Sequence, residues 1–215
     1  MDPSHAKRYE KSEIEAKAAQ VLKDAYPSGV TIPVDIDLLV ERSARVDQIV
    51  AIPSLESKFG VAGILTVKPS GQFDILVDED TLDYQKGRAS FSIAHELGHI
   101  ILHAEVFLNC VTVDDSLALR SRLRRAYRFI EEDANSFAGA ILIPHRQIMD
   151  DTATLYQYLV KNGNYETRLD RNQVSATLAK RYAVNVTPMK IRLERLKVFE
   201  KIQQSLLYKS PYLDL

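Results

Sequence analysis

Five consecutive residues, His95-Glu96-Leu97-Gly98-His99, carry the clearest chemistry in the chain. Histidines at i and i+4 project from one face of a helix, so both imidazoles reach a single ion such as Zn²⁺. Glu96 is turned about 100° from His95 around that helix, which sets its carboxylate beside the ion rather than on it. There it takes a proton from a water whose pKa the metal has lowered toward ~7, and returns it to a leaving amine. Gly98 leaves the helix surface bare, so another element can pack close to the site. The pattern points to metal-assisted hydrolysis of an amide.

Such a site needs a third protein ligand. One class of zinc peptidases supplies it through Gly and His three and six residues further on. Here those positions hold Leu102 and Glu105, which excludes that arrangement. The other source is a later helix, and the run Ile130–Ala138 offers Glu131, Glu132 and Asp133. Glu131 and Asn135 are i, i+4 neighbours, so one can bind the ion while the other orients His95 or His99. The spacing alone leaves the choice among the three acids open.

The elements that must position these residues follow from the periodicity. Residues 12–25 read as a helix, with Ser12 and Glu15 as its capping box and Ile14, Ala18, Val21, Leu22 and Ala25 on one face. Asp35 caps a short second helix. Val46–Ile52, Gly63–Lys68 and Phe73–Val77 are short, rich in Val and Ile, and read as strands, the last two joined as a hairpin through Pro69-Ser70-Gly71-Gln72. Helices are predicted over 88–103, 123–142, 152–161, 173–182, 188–197 and 198–207. The expected fold is α+β: a small antiparallel sheet packed with helices, then a helical C-terminal extension. The expected division is 1–160 and 161–215, with Asn162-Gly163-Asn164 as the linker.

Composition narrows the setting. The 215 residues are 46% apolar and 27% charged with a net charge of −1, which is globular and predicts neither a nucleic-acid nor a membrane partner from charge alone. One cysteine, Cys110, excludes an internal disulfide framework. No apolar run reaches the ~20 residues of a membrane span, and the N-terminus lacks the apolar stretch of a signal peptide. A cytoplasmic location without membrane contact is expected.

The run from Arg88 to His103 that contains the histidines, then Glu131-x-x-Ala134-Asn135-x-Phe137-Ala138, then Leu142-Ile143-Pro144, resembles the ImmA/IrrE family of zinc metallopeptidases. The resemblance covers roughly residues 12–200 and implies a zincin-like core holding one Zn²⁺ per chain. It implies that His95, His99 and Glu131 are the ligands, with Glu132 as the fallback, and that Glu96 is the general base. The substrate it implies is a separate helix-turn-helix repressor, whose cleavage frees genes of mobile elements or stress responses. Ser90-Phe91-Ser92 stands where the family often has Arg-Phe-Thr, a departure that leaves the metal chemistry intact. A second expectation, from another class, is a zinc-stabilised regulator that binds its partner or DNA without cutting.

A zinc peptidase of this kind pairs extended substrate with an exposed strand. The candidate is the last strand before the motif helix, with Phe73, Asp74, Ile75, Leu76 and Val77. His103 falls in the last predicted turn and is expected to cap carbonyls there. Tyr84, Tyr127 and His145 are unranked candidates for an oxyanion donor. Residues 168–201 carry nine Lys/Arg against three acids, +6 on a nearly neutral chain. The segment Leu178–Val186 followed by Thr187-Pro188 resembles a helix-turn-helix, in which Lys190, Arg192 and Arg195 would meet DNA.

Overall fold

The computed structural model describes residues 6–161 and 171–207, without the side chains of 122–127, 159–161, 203 and 205–207. The chain's contacts divide it into two units, Met1–Leu142 and Ile143–Leu215. In chain order the first holds α1 (Lys11–Ala25), α2 (Ile36–Glu41), β1 (Val46–Ile52), α3 (Leu55–Phe59), β2 (Gly63–Val67), β3 (Phe73–Asp78), α4 (Glu79–Tyr84), α5 (Lys86–Phe107) and α6 (Val113–Leu142). The second holds α7 (His145–Lys161), α8 (Arg171–Arg181), α9 (Val186–Arg195) and α10 (Val198–Leu207). The fold class is α+β, as the alternation of periods implies.

The helix α1 buries Ile14, Ala18, Leu22 and Ala25, the 3–4 spacing of its sequence. Its start lies earlier than expected: Glu13, not Glu15, reaches back, and its carboxylate accepts the Glu10 N–H at 2.8 Å. Asp35 caps α2 as its position suggests, its Oδ1 accepting from Asp37 N–H and Leu38 N–H at 3.0 and 3.2 Å.

The sheet is mixed rather than purely antiparallel. Its order is β1-β3-β2, with β2 antiparallel to β3 in the register Leu65↔Ile75 and β1 parallel to β3 in the register Ile49↔Ile75. The reason is the connection after β1. It contains α3, entered through Ser54 and left through Gly60, both left-handed (φ 61° and 68°). The hairpin then places β3 between the other two strands. This corrects the expected role of Phe73–Val77: the strand is hydrogen-bonded on both sides, with Phe73, Ile75, Leu76 and Val77 buried and Asp74 partly covered. A near-continuous apolar run is what a strand covered on both faces requires.

The helix α5 lies over β2 and β3 and packs along α6. At Gly98 the helices meet closely: a Cβ there would lie 3.2 Å from the Ala134 Cα and 3.2 Å from its carbonyl oxygen. The helix continues past the expected end at His103 to Phe107, but His103 itself leaves helical geometry (φ −136°, ψ 26°).

In the second unit α7 starts at His145, seven residues before the expected start at 152, and packs with α8 and α10. The division by contacts falls before α7, where the sequence leads one to expect 160/161. The proposed linker, Asn162-Gly163-Asn164, lies outside the described residues. The turn between α8 and α9 passes through Ala183 at φ 51°, a left-handed position where glycine is the ordinary choice. Asn185, not Thr187, precedes the first turn of α9. No helix among the described residues is long and apolar enough to cross a membrane.

Candidate metal centre

Two helices supply the site. On α5, His95 and His99 turn their Nε2 atoms toward each other, 3.0 Å apart. From α6 the Glu131 carboxylate comes between them, Oε2 lying 3.3 Å from His95 Nε2 and Oε1 3.2 Å from His99 Nε2. A tetrahedral ion with bonds of 2.0–2.1 Å to nitrogen holds its donors about 3.3 Å apart, so these separations fit a single ion. Among the described residues these three form the one His/Cys/Asp/Glu group close enough to hold a metal. Glu131 Oε1 is buried without a hydrogen bond, and an ion would satisfy it.

Burial and the shared carboxylate shift the two histidines in opposite directions. Burial, then the charge of His95, pushes the His99 imidazole down to about 4, which keeps it neutral with a lone pair to give. Burial also disfavours the charged form of His95, but the Glu131 carboxylate and Glu96 outweigh it and its pKa is raised. Burial alone would raise Glu131; the two imidazoles facing its oxygens at 3.3 and 3.2 Å together outweigh it and hold the carboxyl well below the usual range. Asn135 Oδ1 lies 3.2 Å from His95 Nδ1, where it accepts the ring N–H and leaves Nε2 as the free donor.

The other acids of the run point elsewhere. Glu132 is exposed and accepts from Arg128 Nε at 3.1 Å, so the fallback ligand is turned away from the histidines. Asp133 accepts the Tyr9 N–H at 3.1 Å. The choice follows from packing: Ala134 faces Gly98, and that phase turns Glu131 and Asn135 toward the histidines.

Glu96 is 3% exposed and stands outside the donor set. Burial pushes its carboxyl up to about 7, opposed by the charges of His95 and Arg120. Its neighbour is β2: a Cβ at Gly63 would lie 3.0 Å from Glu96 Oε1. Sequence reasoning missed Gly63, although a glycine inside a strand does signal a close approach. It also missed Tyr9, for which no local signal exists.

Other candidates are redistributed. The strand carrying Phe73–Val77 is central, so the edge near Glu96 is that of β2. Toward its C-terminal end that edge is engaged: the Leu65 carbonyl accepts from the Ser116 hydroxyl, and Val67 N–H donates to the Cys110 carbonyl at 2.8 Å. His103 is fully buried rather than capping a helix end, with Nε2 3.4 Å from Asp133 Oδ2. Tyr84 is 81% exposed, His145 is exposed and lies in the second unit, and the side chain of Tyr127 lies outside the described residues. Of the three DNA-contact candidates, Arg192 is withdrawn: it is 5% exposed and its Nε donates to the Ile143 carbonyl at 2.9 Å. Lys190 is partly covered and Arg195 exposed.

Comparison with known families gives one match. The model of a peptidase family, Peptidase_M78, described as the IrrE N-terminal-like domain, matches residues 83–194. That span is just over half of the chain and includes His95, Glu96, His99, Glu131 and Asn135. No curated protein and no solved structure matches the chain.

Proposed function

The chain belongs to the peptidase M78 family of IrrE N-terminal-like domains, and on that premise we propose that it is a zinc-dependent endopeptidase. The observation that carries this reading is the convergence of His95, His99 and Glu131 beside the buried, non-ligating carboxyl of Glu96. Two imidazoles and one carboxylate, with a position left open, are the donor set of catalytic zinc rather than of a closed structural site. When bound, zinc polarises the scissile carbonyl and acidifies water.

The remaining steps belong to the protein. Glu96 takes the proton of the attacking water and passes it to the amide nitrogen as the C–N bond breaks. Asn135 holds the His95 ring in its ligating tautomer. The edge of β2 next to Glu96 replaces β3 as the strand against which extended substrate would pair, because main-chain pairing needs an unpaired edge. From the ImmA/IrrE resemblance, the substrate we propose is a helix-turn-helix repressor protein.

The test is co-expression of the chain with a candidate repressor, as wild type and as Glu96→Gln. The expected result is a fragmented repressor with wild type and an intact one with the variant, which keeps its zinc. Cleavage retained in Glu96→Gln would overturn the assigned base. An intact repressor in a stable complex with zinc-loaded wild type would replace proteolysis with sequestration.

A further inference from the structure

Tyr9 lies outside both metal-bearing helices, yet it touches each of them within a turn of the candidate ligands. Its hydroxyl donates to the Leu102 carbonyl of α5 at 2.9 Å. Its backbone N–H donates to Asp133 Oδ2 of α6 at 3.1 Å. Its ring meets the His103 ring edge-on, with centroids 5.4 Å apart and planes at 69°. His103 lies beside the same Asp133 oxygen, its Nε2 3.4 Å away without a hydrogen bond to it.

The place of this contact has a physical logic. The backbone of α5 breaks at His103, one turn beyond His99. A break in helical dihedrals withdraws amide partners from the carbonyls just before it, and the Tyr9 hydroxyl supplies a donor to one of them. Asp133 stands two residues beyond Glu131. The helices themselves meet most closely at Gly98, where the Ala134 backbone and the Phe137 ring lie against the bare surface. That contact lies one turn before the break at His103, and Tyr9 adds a second tie between the same two helices beyond it. The ring of Tyr9 is itself held, with Lys7 Nζ 4.4 Å and Lys17 Nζ 5.6 Å from its centroid.

We propose that Tyr9 is a positioning residue of the metal centre, clamping α5 to α6 so that the histidine pair and Glu131 keep their spacing. The proposal rests on the metal centre described above. A three-ligand site gains affinity from donors already in place; groups hydrogen-bonded to the ligands typically contribute 10–100-fold, and Tyr9, one contact further out, is expected at the lower end.

The test uses the full chain as wild type, Tyr9→Phe, Tyr9→Ala and Tyr26→Phe. Tyr9→Phe deletes only the hydroxyl donor and keeps the ring and the N–H. Tyr26→Phe deletes a comparable tie in the same unit, since the Tyr26 hydroxyl accepts from Asp35 N–H at 2.8 Å. Zinc affinity is measured by competition with a chromophoric chelator, and ligand geometry by the visible spectrum of the Co²⁺-loaded chain. In Tyr9→Phe we expect zinc binding about tenfold weaker and an altered Co²⁺ spectrum, with a larger loss in Tyr9→Ala and none in Tyr26→Phe. Wild-type affinity and spectrum in both Tyr9 variants would overturn the proposal and leave the metal centre standing. So would an equal loss in Tyr26→Phe. A wild-type chain that takes up no zinc would overturn the proposal together with the metal reading.

Discussion

At the scale of single residues, the site depends on which side chains are present and on which are missing. Glu131→Ala removes one of the three candidate ligands, and metal analysis of the purified variant should show zinc content or affinity sharply below wild type. Gly98→Ala is the subtler case. Alanine gains roughly 1 kcal/mol of helix propensity over glycine, but its Cβ would press on the Ala134 backbone, 3.2 Å away. Overpacking of that kind costs about 1–3 kcal/mol, so the metal-free variant should be less stable by about 0–2 kcal/mol, while zinc binding weakens through the displaced Glu131. Equal zinc affinity in a chelator competition would show that α6 yields without moving its ligand. The motif residues were legible because i, i+4 geometry is a property of the helix alone. Glu131 was legible only as one of three acids, since the phase of α6 about its axis is set by what it packs against.

At the scale of elements, the sheet edge near Glu96 and the helices around it depend on one buried carboxylate. Asp78, at the end of β3, accepts Thr81 N–H at 3.1 Å and Glu56 N–H at 3.0 Å, so it caps α4 and ties down α3. The Glu56 backbone bond, followed by the Thr81 bonds and Arg88, outweighs burial and holds its pKa below the ordinary carboxylate value. A depressed folded pKa contributes stability that is full above the unfolded value near 3.9 and is lost as pH falls through the folded one. Urea titrations should therefore show Asp78→Ala less stable by about 1–2 kcal/mol at neutral pH. The gap between variant and wild type should narrow below pH ~4. A gap that persists at low pH would assign the effect to packing. The hairpin of β2 and β3 was legible from its turn residues, and α1 from its apolar spacing. The central place of β3 was not, because strand order depends on pairing across long sequence separations.

At the scale of the whole molecule, the three candidate ligands, His95, His99 and Glu131, all lie in Met1–Leu142. Metal binding to the folded state should stabilise the first unit by mass action. Free zinc at a hundred times its dissociation constant contributes about 2.7 kcal/mol. Calorimetry should show an upward shift in thermal midpoint that a chelator reverses, confined to one transition where the units melt apart. A midpoint indifferent to saturating zinc would count against the centre. The second unit is not simply a basic surface: Arg192 is spent on the Ile143 carbonyl, and Arg181 Nε donates to Asp151 at 2.7 Å.

The sequence by itself determined the local chemistry: a helix with two histidines on one face, an unligated glutamate beside them, and a later helix rich in acids. Those features need only the pitch of a helix and the valence of a side chain. Tertiary structure decided that Glu131 turns inward and Glu132 outward, that β2 rather than β3 forms the edge beside Glu96, and that Arg192 is buried. It also placed Tyr9 across both helices that carry the candidate ligands. Each of these depends on contacts between segments tens of residues apart, set by the packing of the whole core rather than by any local pattern.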